Sequence, residues 1–179
     1  MRLTISGPPG SGKTTVCDKL SDVLQMKAVF FGRIFREIAG EMGLTLLELG
    51  ELAERDFTID REIDSRLLKI ARENDDIILE SRLAAYMLTL NDIPAIRIYL
   101  HANRDVRIRR IGLRDNETYE EALIKTAERE ASEEKRYMMY YGIDIRDMSV
   151  YDIDIDTSCI DPDEVVQIIL SGLEAKGCL

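Results

Sequence analysis

Residues 7–14 read Gly7-Pro8-Pro9-Gly10-Ser11-Gly12-Lys13-Thr14, set between a short apolar run, Leu3 to Ser6, and a segment with helical spacing. The octapeptide fits GxxxxGK[ST] in full and stands where that pattern must stand, after a strand and at the opening of a helix. Its glycines let the backbone wrap closely around phosphate oxygens, and the loop amides and helix N-terminus turn partial positive charge towards them. Lys13 then meets the β- and γ-phosphates as a point charge, while Thr14 offers a hydroxyl to Mg²⁺. A nucleoside triphosphate and Mg²⁺ are therefore the expected ligands. A strand–loop–helix unit of this kind belongs to a parallel sheet whose ligand lies beyond the carboxyl ends of the strands.

The rest of the chain supplies such a sheet. Strand-like runs at Ala28 to Phe31, Asp76 to Glu80, Ala95 to Leu100 and Asp152 to Asp156 alternate with helical segments. The helices are expected over Lys13 to Gln25, Ile34 to Met42, Thr45 to Arg55, Asp60 to Glu73, Leu83 to Leu90, Asn103 to Leu113, Thr118 to Tyr140 and Pro162 to Leu173. Thr45 with Glu48 three residues on, and Asp161 before Pro162, read as helix starts. The fold class is α/β, with five parallel strands flanked by helices on both faces. The segment Thr118 to Tyr140 is polar nearly all round and is expected to project from the body or to be solvated on most sides.

At 179 residues, 45% hydrophobic and 32% charged, the chain fits one domain and is neither collagenous nor disordered. No apolar run approaches a membrane span, and the N-terminus does not read as a signal peptide. Three separated cysteines and the single His101 argue against a disulfide framework or a zinc site. A soluble cytoplasmic protein is expected. The net charge of −10 disfavours a nucleic-acid partner. Against that background Arg104, Arg107, Arg109, Arg110 and Arg114 crowd one short stretch, as if to gather positive charge on a small anion.

The glycine loop names a nucleoside triphosphate but no reaction. The Asn-Lys-x-Asp guanine reader of a GTPase is absent, and the chain is too short for a motor or an AAA machine. A small phosphotransferase remains, and it needs a second anion pocket and mobile arginines. Arg36 follows the second strand, where its planar fork can grip a monophosphate. Glu80-Ser81-Arg82 closes the third strand, placing Glu80 to order the water shell of Mg²⁺ and Arg82 to reach an acceptor phosphate. Arg110 and Arg114 share a helix face, a repulsive spacing unless an anion lies between them. Arg129, Glu133 and Arg136 share another. They form either an exposed run of salt-bridge pairs or a clamp whose carboxylate accepts from an exocyclic amino group.

These motifs together resemble the nucleoside monophosphate kinase family, and in detail the archaeal-type cytidylate kinases. The resemblance runs from Ile5-Ser6-Gly7-Pro8-Pro9-Gly10-Ser11-Gly12-Lys13-Thr14-Thr15 through Gly32-Arg33-Ile34-Phe35-Arg36, Glu80-Ser81-Arg82-Leu83-Ala84 and Arg129 to Tyr137, ending at Tyr151 to Ser158. It implies phosphorylation of CMP or dCMP by ATP, with small nucleotides as the partners and a monomeric chain. It also implies two mobile parts, a monophosphate-binding segment of about 32–73 and a lid of about 114–140. Arg36, Arg82, Arg129, Glu133 and Arg136 would hold the acceptor. Lys13, Arg82, Arg110 and Arg114 would face the transferring phosphoryl. Gly7 to Thr15 with Thr157 and Ser158 would hold ATP. Ser81 stands where the family usually has glycine, and the Gly-[Phe/Tyr]-Pro-Arg signature of adenylate kinases is absent. Adenylate or uridylate kinase, a shikimate-type small-molecule kinase, or a non-catalytic ATP-responsive regulator, are the alternatives. Glu133→Gln is expected to weaken discrimination between CMP and UMP with only a modest change in stability. Failing Glu133, the base reader would lie near Arg33 and Asp60.

Overall fold

The computed structural model describes residues 1–179. Five strands, β1 (Arg2–Ser6), β2 (Lys27–Phe30), β3 (Ile77–Glu80), β4 (Ile96–His101) and β5 (Ile153–Asp156), form one parallel sheet in the order β2-β3-β1-β4-β5. Eight helices connect or close them: α1 (Lys13–Leu24), α2 (Phe31–Glu41), α3 (Leu46–Ala53), α4 (Phe57–Glu73), α5 (Ala84–Leu90), α6 (Arg104–Asp115), α7 (Tyr119–Tyr141) and α8 (Pro162–Ala175). None is long and apolar enough to cross a membrane.

Alternation along the strands divides the core in two. Leu3 and Ile5 of β1 and Ile78 of β3 face α1 and α8, where they meet Val16, Leu20, Val166 and Ile169. Ile77 and Leu79 of β3 face the other side and pack with Leu67 of α4 and Leu88 of α5. The strand order positions the site. Because β1 pairs with β3 in the register Ile5 to Glu80, the loop after β1 and the Glu80-Ser81-Arg82 corner emerge side by side at the carboxyl ends of the strands.

Three expectations about helices change. α2 begins at Phe31, directly after β2, and α4 begins at Phe57 with the Asp56 side chain accepting from the Thr58 amide at 3.0 Å. Both start three residues earlier than the apolar spacing suggests. The larger correction concerns α7, which neither projects nor is solvated on most sides. Its Ala122, Thr126, Ser132, Glu133, Arg136 and Tyr137 are buried. One end packs on α6, and the other is fastened to α3 and α4. There Lys135 pairs with Glu54, Arg136 with Asp60, and the Tyr141 hydroxyl donates to Asp64 at 2.6 Å. Phe57 packs against Tyr140 at 4.6 Å between ring centroids.

Candidate active site

The loop after β1 is built from backbone that side chains would block. Gly7 has φ +145°, and a Cβ there would stand 2.0 Å from the Leu100 carbonyl oxygen. Gly10 has φ +80°, with the Arg107 carbonyl oxygen 2.6 Å from the position of its missing Cβ. Lys13, at the first position of α1, folds back across this loop and donates to the Gly7 and Pro8 carbonyls at 2.8 and 2.9 Å. The sequence places Lys13 on a solvent-facing loop. In the fold it is half-buried, and burial lowers its ammonium to about 8, only partly opposed by the nearby Glu80 carboxylate.

A cleft of about 580 Å³ opens over this loop. Pro9 to Thr15 line one wall, and Thr157, Ile160, Pro162 and Val165 extend it as a partly apolar ledge at the start of α8. The opposite wall carries Arg36, Arg82, Arg129, Glu133 and Arg136, with Phe31, Phe35 and Tyr137 between them. Arg110 and Arg114 lie on the wall from α6. Most of the anticipated residues, from distant parts of the chain, thus meet in one place; Gly7, Pro8 and Ser158 do not line it.

Their pairings are specific. Glu133 is buried and accepts from Arg82 Nε on one oxygen and from Arg129 Nε on the other, each at 2.8 Å. Burial opposes its ionisation, but Arg129 and Arg82 outweigh that and hold the carboxyl at about 2. Arg136 turns away from Glu133 to pair with Asp60 on α4, and its guanidinium stands 5.5 Å from the centre of the Phe35 ring. Arg110 donates to the Thr157 carbonyl at 2.7 Å and to the Gly10 carbonyl at 3.4 Å, whereas Arg114 forms a two-pronged pair with Asp115. Arg36 has no carboxylate partner. Burial, Arg114 and Arg129 all press its basicity down. Glu80 is buried and lines the same cleft as Thr14, without an ion pair.

Some anticipated residues stand elsewhere. The Ser158 hydroxyl donates to Asp156 at 2.5 Å and accepts from the Asn103 amide at 2.8 Å, outside the cleft. Thr157 reaches the cleft wall, and its hydroxyl also ties the loop's Ser11 carbonyl to β4. Arg33 stacks over Phe30 at 4.0 Å and pairs with Asp18 at 3.4 Å, and it does not line the cleft. The Ser81 hydroxyl accepts from the Leu83 amide at 3.2 Å and shapes the corner. The motifs did not single out Asp64. It lies on the cleft wall four residues from Asp60, bonded to Tyr141. Burial raises its carboxyl to about 7, a shift that no sequence spacing reveals.

A phosphate-wrapping loop at the head of a parallel sheet, facing a ring of arginines across a cleft, defines a P-loop kinase. A shikimate kinase from Aquifex aeolicus shares this fold, with a TM-score of 0.60 at 20% identity over 99% of this chain and 98% of that one. The particular branch follows from sequence. The model of the cytidylate kinase-like family matches residues 2–159, and the chain belongs to that family. A cytidylate kinase of Sulfurisphaera tokodaii is 45% identical over 94% of this chain and 93% of its own length. One of Methanosphaerula palustris is 49% identical over 88% of each.

Proposed function

We propose that this chain transfers the γ-phosphoryl group of ATP to CMP or dCMP, giving CDP or dCDP. One observation carries the site assignment. Arg36 has no counter-ion and shares the cleft with Arg114 and Arg129, an arrangement that an anion would relieve. The acceptor phosphate is that anion, held by Arg36 and Arg82, with Arg129 beside it. Glu133 keeps a second acceptor direction on each oxygen, so it can take the cytosine amino group while it anchors both arginines. Arg136, fixed by Asp60, closes that end.

On the donor side Gly7 to Thr15 would wrap the phosphates. Thr157, with the ledge at Ile160 and Pro162, would flank the adenosine, and Ser158 would act only by shaping this loop. Lys13 leaves the Gly7 and Pro8 carbonyls to meet phosphate oxygens. Arg110 and Arg114 face the transferring group, so Arg114 must exchange Asp115 for it. The site fits Mg²⁺, since Glu80 is a buried carboxylate with no ion pair and lines the same cleft as Thr14. Thr14 directly, and Glu80 through water, would hold the ion, which neutralises charge on the donor phosphates when bound. The segments 32–73 and about 114–140 would close together, as α7 is fastened to α3 and α4 and turns about its junction with α6. The ligands are small nucleotides bound by a single chain.

Thermal melting with CMP, dCMP, UMP, AMP and shikimate tests the acceptor, because a ligand that binds only the native state raises its melting temperature. CMP and dCMP should raise it most. A larger rise with AMP or shikimate would overturn the acceptor assignment.

A further inference from the structure

Arg107 sits in the arginine-rich stretch but off the cleft wall. Its side chain is buried, and Nη1 donates both to the Pro9 carbonyl at 2.9 Å and to Glu130 Oε1 of α7 at 2.7 Å. The two elements also touch through backbone, since a Cβ on Gly10 would stand 2.9 Å from the Arg107 Cα. A peptide unit is planar and trans, so the Pro9 carbonyl and the Gly10 N–H point in opposite directions. A guanidinium that holds the carbonyl on the α6 side leaves the Gly10 N–H facing away from it, towards the cleft that Gly10 lines. Glu130 in turn holds the guanidinium. It stands on α7 next to Arg129 and one turn before Glu133.

We propose that Arg107, seated by Glu130, is a positioning residue that fixes the Pro9–Gly10 peptide with its N–H towards the donor phosphates, linking donor affinity to the seat of α7. This rests on the kinase function given above. Arginine suits the task because one planar, permanently charged group can satisfy a carbonyl and a carboxylate together. Lysine offers a point charge on a longer tether and should serve less well.

The test is titration of wild type, Arg107→Ala, Arg107→Lys and Glu130→Gln with Mg·ATP, alongside KM for ATP and for CMP. Arg107→Ala should weaken Mg·ATP binding and raise KM for ATP roughly tenfold, the scale of one charge-assisted hydrogen bond, with KM for CMP within about twofold. Arg107→Lys should recover part of the loss, and Glu130→Gln should show a smaller loss of the same kind. Arg109→Ala, on the exposed side of α6, is the control. An Arg107→Ala protein with a lowered melting temperature but unchanged ATP affinity, or with both KM values raised in parallel, would overturn the proposal. If Arg107→Ala fails to fold, unchanged ATP affinity in Glu130→Gln would overturn it. Wild type that binds ATP without phosphorylating CMP would instead sink the acceptor assignment, and the ATP titrations would still decide the role of Arg107.

Discussion

Arg82 donates from Nε to Glu133 at 2.8 Å, joining the end of β3 to the middle of α7 across 51 residues of chain. With Arg129 on the other oxygen, Glu133 holds two guanidiniums at the cleft, and neither side of the Arg82 pair is well exposed. Glu133→Gln should therefore cost about 3 kcal/mol, since it leaves buried positive charge unbalanced. This corrects the modest change expected of a charge on a solvated helix. The ratio of kcat/KM for CMP over UMP should also fall roughly tenfold, because an amide both donates and accepts. An unchanged ratio together with the stability loss would confine Glu133 to holding the arginines.

Lys13→Ala should abolish turnover and leave the fold intact, since Lys13 binds only loop carbonyls in the empty chain. The loss in transition-state stabilisation should be several kcal/mol. The lowered ammonium adds a pH signature. In the empty enzyme Lys13 loses its proton above about 8, whereas bound phosphate favours the charged form. ATP affinity should weaken as pH rises through 8 to 9, and binding there should take up a proton. Calorimetry in buffers of different ionisation enthalpy measures that uptake. No net proton uptake at pH 8.5 would contradict the assignment of Lys13 to the donor phosphates.

Asp64 makes stability itself depend on pH. Its folded-state value, about 7, lies above that of an unfolded chain, so the native state binds the extra proton between roughly pH 4 and 7. Stability should fall as pH rises through that window and level off above 7. Asp64→Asn can still accept from Tyr141, and it should flatten this slope and gain on the order of 2 kcal/mol at pH 8. Urea unfolding at pH 5 and 8 measures both quantities. Equal slopes in the two proteins would show that Asp64 ionises freely.

The anchoring of α7 changes what should move. An exposed helix with few apolar contacts would exchange its amides quickly when empty. Here Ser132, Glu133, Arg136 and Tyr137 are buried and tied to α3, α4 and β3. Their amides should be protected in the empty chain, and nucleotide-dependent protection should concentrate at Leu113 to Thr118, where α6 turns into α7 and Leu113 is 86% exposed. Hydrogen exchange with and without a bisubstrate nucleotide measures this. Fast exchange throughout α7 in the empty chain would restore the picture of a freely moving helix.

The nucleotide loop was legible because its chemistry lies in consecutive residues, and Thr45 with Glu48 was legible for the same reason. Both halves of that capping box form. The start of α2 was not, because Phe30 and Phe31 pass from strand to helix with no side-chain cap to announce it. The burial of α7 escaped a reading by hydrophobic period because its inward stripe is largely polar. Asp60, Arg82 and Arg107 satisfy that stripe, and only the fold reveals those three pairings. Arg107 was visible as a charge but not as a partner of Pro9, since a contact to a backbone carbonyl leaves no mark in side-chain pattern. Asp64 likewise reads as an ordinary helix carboxylate until its burial is known.

Steady-state phosphoryl transfer from ATP to CMP, dCMP, UMP and AMP, each over a full concentration range, bears most directly on what the cleft does. kcat/KM for CMP and dCMP should exceed that for UMP and AMP by roughly tenfold or more, the scale at which a polar group left unpaired discriminates between bases. Equal specificity constants for UMP or AMP, or ATP turnover without any of the four acceptors as substrate, would contradict it.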